Sequence, residues 1–304
     1  METIPGHINR FYRTLSGILS EGEIVSSAIV IAYYILFSIF PIIIIVGNVL
    51  PLFRINTAPI AEYLRLIFPE QIAVYIMPIV NSLLKTNSNG YISFGIILAV
   101  WSFSNLVNAI RIGMNRLYDV HRIELKLSFL SFLWNRSATI FLTALMIFVF
   151  TGIGLAFIFG QQILDFVQQI FGFSFYRLKS ILSYRYPVVI VIMIIAVAYL
   201  NYVLPNIKLK KRKIWPGVFV TVLGWIILSF GFSFYLHNFP ISWENYGIIG
   251  TFIIFMLWLY LAAMMLLFGT SINATIVRLK YGSVEFSSGR LASYIQQKRR
   301  QKNK

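Results

Sequence analysis

Trp101, Asn105, Asn108, Arg111 and Asn115 follow one another at intervals of four, three, three and four residues. On a helix turning 100° per residue they share one arc of roughly 120°. Amides and a guanidinium on one face can hydrogen-bond a polar group or pair with a phosphate or another anion, but none of them makes or breaks a covalent bond. The chemistry on offer is recognition. It has two readings: hydrogen bonding between helices, or the lining of a path for polar cargo. Arg111 shares that ambiguity, since near a membrane surface it either snorkels to headgroups or pairs with an anionic substrate or lipid phosphate. Tyr33, Tyr34, Ser38, Asn201 and Asn273 are further polar groups in apolar surroundings, and Pro41 stands where a missing N–H kinks or breaks a helix. These six residues join the arc as candidates for a substrate or lipid path.

Catalysis finds little to work with. The chain has ten Asp and Glu, none within an apolar run, and its three histidines, His7, His121 and His237, have no ligand spacing. No GxSxG, HExxH or P-loop pattern is present. With no cysteine, thiol catalysis, thiolate metal sites and disulfides are excluded. The expectation is a non-enzymatic protein with no metal or cofactor, and one without the buried carboxylate that usually relays protons inside a membrane.

The elements that must position these groups follow from composition. Hydrophobic residues make up 58% of the chain, charged residues 12%, and mean hydropathy is +0.77, values that belong to a membrane protein. Charge-free runs cover 24–53, 91–110, 137–164, 186–207, 214–236 and 245–277, each near or above the ~20 residues that span a hydrocarbon core. They predict an all-α fold, a polytopic bundle of six transmembrane helices. The first run is too long for a signal-peptide core and lacks a small-residue cleavage site, so it is expected to stay in the protein. In hydrocarbon an uncompensated amide is costly. The arc is therefore expected to face the bundle or a wet cavity, leaving Ile96, Phe103, Val107 and Ile110 to meet lipid or neighbouring helices.

The net charge of +16 is placed unevenly: of 26 Lys and Arg, 20 fall in the two ends and the second and fourth loops. The positive-inside rule then puts both termini in the cytoplasm. Lys208, Lys210, Lys211, Arg212 and Lys213 are expected to touch anionic lipid headgroups at that face, a role that needs no nucleic acid. Residues 1–22 form a cytoplasmic interfacial helix, with Ile8, Phe11, Tyr12, Leu15, Ile18 and Leu19 as its apolar stripe. The transmembrane domain covers 23–278, with amphipathic external helices at about 56–86 and 161–184, and 279–304 is a basic cytoplasmic tail. Within the fifth span, Gly217, Thr221, Gly224 and Gly231 share one side, where small residues let helices approach closely; lining a substrate path is the other use of such a side. The last run has 33 residues, about 50 Å of helix, so Tyr246–Gly250 is expected to form an interfacial lead-in or turn.

Several segments, taken together and in order, resemble the YihY/BrkB family of six-span bacterial inner-membrane proteins. They are AYYILFSIFP (32–41), WSFSNLVNAIRIGMNRLYDV (101–120), YLNYVLPN (199–206), WPG (215–217), NYG (245–247) and LWLYLAAMMLLFGTSINA (257–274). Where similar proteins often end this last segment G-A-E-L-N-A, the chain has Gly269-Thr270-Ser271-Ile272-Asn273-Ala274. No mechanism needing a carboxylate there carries over. The resemblance implies a helical bundle in the cytoplasmic membrane with both ends inside. Members have carried a ribonuclease label, against which the residue inventory argues, and others are linked by name to virulence and serum resistance, which implies an envelope role. The expected function is a transporter or lipid translocase moving an amphiphilic or anionic molecule through a polar cleft between the first, second and last spans. The alternative is a non-transporting scaffold or envelope-integrity factor that binds anionic lipids or partner proteins.

Overall fold

The structure is a computed structural model, and it describes residues 4–49, 77–78, 89–120, 185–209, 212–238, 243–282 and 284. Its fold is helical. The first helix, α1 (Ile4–Glu21), is amphipathic, but only its last two turns dock: Leu15 and Ile18 are buried while Ile8 and Tyr12 are exposed. The chain then bends by 56° at Gly22 and Glu23. A Cβ on Gly22 would lie 2.6 Å from both the Ile18 carbonyl oxygen and Leu117 Cδ2, so only glycine lets the turn sit this close to the bundle. Glu23 adopts the left-handed conformation, with φ 46°.

Helix α2 (Ile24–Val49) continues through Pro41 without a break. It packs along α3 (Asn89–Leu117), and Gly113 fixes that approach, since a Cβ there would meet Ser27 Cβ at 3.3 Å and a Leu267 methyl at 3.2 Å. Helix α3 ends in a Schellman motif. Val120 N–H donates to Asn115 O and Asp119 N–H to Arg116 O, both at 3.0 Å, with Asp119 left-handed at φ 57°. Helix α4 (Arg185–Val203) stops just before Pro205, and α5 (Trp215–Asn238) starts with Pro216, where a missing N–H costs little.

Helix α6 (Trp243–Tyr281) is the hub, packing on α5, α2, α1 and α3. Its 39 residues make about 58 Å. Tyr246–Gly250 is helical, so no turn interrupts it. Two isolated glycines cost a helix only about 1 kcal/mol each, too little to break it. The core runs through Ile31, Met114, Val197, Val218, Leu267 and Val277, all essentially inaccessible. Outside it, Trp215, Phe219, Leu223, Ile227, Phe230 and Phe234 form an exposed row along α5, as a lipid-facing surface requires.

Among the described residues, Trp215–Leu236 and Phe252–Tyr281 are long and apolar enough to cross a membrane. The bent α1–α2 pair makes a third if counted as one broken span, and Val189–Val203 is apolar but shorter. The run 137–164, the external segment 161–184 and, apart from helical residues 77–78, the segment 56–86 lie outside the described residues, as does nearly all of the basic tail.

Candidate functional site

The expected polar residues separate into two regions. The first lies where α4, α5 and α6 converge. Asn201 on α4 and Asn273 on α6 are fully buried, and Asn273 Nδ2 donates to Asn201 Oδ1 at 3.1 Å. The same oxygen lies 3.1 Å from Thr270 Oγ1, while Asn201 Nδ2 donates to Val197 O at 3.0 Å. Asn273 Oδ1 accepts the Gly217 backbone N–H at 2.8 Å. The first turn of a helix has N–H groups without intrahelical partners, so a side chain of α6 completes the start of α5. Both amide oxygens accept and both amide nitrogens donate, so the cluster is closed upon itself.

Close backbone approach makes this possible. A Cβ on Gly217 would overlap Gly269 O and Asn273 Nδ2, and one on Gly269 would overlap Thr221 Oγ1. Thr221 is buried and donates to Gly217 O at 2.9 Å; Gly224 faces Met265 Sδ, while a Cβ on Gly231 would meet open space. Gly269, Thr270 and Asn206 join the site although the sequence marks none of them as a candidate for it. Gly269 and Thr270 carry only the weak signal of small residues in an apolar run, and Asn206 acts through its backbone. Asn206 N–H donates to the buried Asn115 Oδ1 at 2.9 Å, tying the end of α3 to the α4–α5 turn.

The second region is the flank of α3 beside α2, where the aliphatic side meets neighbouring helices, one of its two expected surroundings, and the polar arc is less buried than that side. Val107 and Ile110 are buried in the core, whereas Asn105, Asn108 and Arg111 are only half-buried and Trp101 is 56% exposed. The aliphatic side wins the interior because Ala109 and Gly113 lie towards it and allow α2 and α6 to close in. Only Asn115 of the arc is interior. Arg111 Nη2 donates to Asn108 Oδ1 at 2.8 Å. Nearby, Tyr33 stacks on Phe37 at 6.1 Å between centroids, and Phe37 meets Trp101 edge-on at 5.8 Å. Tyr34 packs edge-on against Tyr33 at 5.2 Å. Ser38 is buried and donates to Tyr34 O at 2.7 Å within its own helix, and Pro41 is buried as well.

Of the basic residues, Lys208 and Lys213 are exposed, and Lys210 and Lys211 lie outside the described residues. Arg212 turns inward instead. It donates to Tyr202 O and, at 2.8 Å, to Ile207 O, and its guanidinium lies 5.4 Å from the Tyr202 ring centre. It thereby binds one carbonyl in the last turn of α4, where a cation also suits the helix dipole, and one in the turn that follows. Burial raises the pKa of the Tyr118 phenol above the ordinary tyrosine value, against the opposing pull of Arg212. Among the described residues no three His, Asp or Glu side chains converge as metal ligands would.

The chain is similar to known proteins that include membrane proteins by name. A family model described as Virulence factor BrkB matches residues 16–288. A Bacillus subtilis protein whose name describes it as ribonuclease-like, YfkH, is 32% identical over 262 residues, covering 86% of this chain and 92% of that protein. A UPF0761 membrane protein of Nitrosospira multiformis is 34% identical over 90 residues, 30% of this chain and 21% of its own length. Another, from Bordetella petrii, is 32% identical over 98 residues, 32% of this chain and 22% of its own. No solved structure matches.

Proposed function

The chain belongs to the Virulence factor BrkB family of multi-pass membrane proteins, and from that membership we propose that it moves an amphiphilic or anionic molecule across the bacterial cytoplasmic membrane. One observation carries the reading: Asn105, Asn108 and Arg111 stay half-exposed on a helix whose other side is packed into the core, next to the aromatic row Tyr33–Phe37–Trp101. A flank with hydrogen-bonding groups along one line and aromatic rings beside it suits a molecule with a polar head and an apolar body. The head follows the amides towards Arg111, and the body stays with rings and lipid. The reading has six spans, namely α2 to α6 together with the run 137–164, and places both termini and the Lys208–Lys213 turn in the cytoplasm. It contains no catalytic step.

The test is reconstitution in liposomes with labelled phospholipid, glycolipid and small anions. Exchange of at least one class should exceed that of protein-free vesicles and should fall when Asn105 and Asn108 are both replaced by alanine, while thermal stability holds. No acceleration across the panel sinks transport and leaves the scaffold role, in which anionic lipids or partner proteins bind the exposed lysines.

A further inference from the structure

At the end of the bundle that holds the α4–α5 turn, the last turn of α1, the end of α3 and the end of α6 border a half-open cleft of about 470 Å³. That is a size typical of small-molecule sites, which run from ~300 to ~1,000 Å³. Its floor is apolar, made by the buried Ile18 and Leu117. Its rim is charged, with Glu21, Glu23 and Asp119 set against Arg116 and Arg278. Two of these carboxylates, on Glu23 and Asp119, project from left-handed residues, a conformation that aspartate tolerates and glutamate seldom adopts.

The rim chemistry selects among ligands. Three carboxylates against two guanidiniums disfavour a plain anion. No three carboxylates converge as metal ligands do among the described residues, which argues against a divalent cation. Arg116 is firmly held, 2.8 Å from Glu23 and 3.2 Å from Ser27 Oγ. Arg278 and Glu21 form a looser pair at 3.6 Å, with side chains 47% and 69% exposed. A zwitterion replaces that one loose pair by two, giving a phosphate to Arg278 and an ammonium to Glu21 and Asp119. We propose that this cleft binds a phosphoethanolamine group, a primary ammonium carried two carbons from a phosphate, either as a lipid headgroup or as a free small molecule. The site lies apart from the α3 flank and does not rest on the transport reading.

The probe is glycerophosphoethanolamine, titrated by saturation-transfer NMR into the purified full chain, with glycerophosphoglycerol as the partner that keeps the phosphate and lacks the ammonium. Saturable binding at least tenfold tighter for the first is expected. Asp119→Asn should weaken it at least fivefold, because asparagine keeps the left-handed turn and removes only the charge. Native mass spectrometry from nanodiscs of equal phosphatidylethanolamine and phosphatidylglycerol separates the sources. Retained phosphatidylethanolamine that Asp119→Asn loses identifies a lipid headgroup; saturable binding of the soluble probe with no lipid enrichment identifies a free one. Equal affinity for the two probes, no saturable binding, or an unchanged Asp119→Asn variant overturns the site. Since no readout involves exchange across a bilayer, a chain that binds and does not transport keeps this site and loses the transport function.

Discussion

The amide cluster of α4–α6 and the α3 flank are built from the same side chain and end in opposite situations. Asn201 and Asn273 are enclosed and bonded to each other, to Thr270 and to the start of α5. Asn105 and Asn108 are half-open, with Arg111 bridging back along the same helix. In a membrane the apolar effect that drives soluble cores is weak between helices, so close packing and hydrogen bonds must hold the bundle. A closed cluster serves that purpose. An open line of amides adds little to it and remains available to something that passes or binds.

The sharpest way to break the contrast is at the helix crossing. Gly217→Ala forces α5 and α6 apart and opens every bond above it, so a loss of about 3 kcal/mol or more, read as early unfolding in detergent, is expected. Asn273→Ala should cost about 2 kcal/mol, because it strips a partner from Gly217 N–H and from Asn201 together. If it unfolds no earlier than the wild type, the cluster is not structural and the distinction collapses. On the flank, replacing both Asn105 and Asn108 by alanine should change stability by less than about 1 kcal/mol while cutting lipid or anion exchange about tenfold. Equal losses in both measurements would make the flank a packing surface too. A smaller effect tests the interior near Arg212: because the folded pKa of Tyr118 is raised, its stabilising contribution is complete below the unfolded value of about 10 and is lost as pH rises beyond it. Tyr118→Phe should flatten that alkaline decline, as seen in unfolding curves at stepped pH. Smallest of all, Gly231→Ala should be neutral or stabilising by up to about 1 kcal/mol, since a Cβ there meets open space in the middle of a helix.

Charge-free runs marked helices well because hydrocarbon tolerates few charges in a span, and α3, α5 and α6 each begin within two residues of their runs. What a helical wheel cannot supply is the direction of a face. It groups Asn105 with Arg111 and Val107 with Ile110, but which group turns inward depended on Gly113 meeting Ser27 and Leu267, residues far away in the chain. The pairing of Gly217 with Gly269 was half legible, since WPG announces the first and nothing in FGTSINA announces the second. The cleft at the end of the bundle left no trace in any one segment. Its rim comes from Glu21, Glu23, Arg116, Asp119 and Arg278, which only the fold brings together.

The bond from Asn273 to the Gly217 N–H has a consequence for biogenesis. The residue that completes α5 is synthesised 56 positions later, on α6. While the chain is being made, α5 therefore enters the bilayer with that N–H lacking its native partner, and it receives the partner only when α6 arrives. Insertion of α5 and its final docking are thus separate events. A ribosome stalled before residue 273 should leave a nascent chain in which α5 is inserted but its first turn, at Trp215–Gly217, is still open to protease.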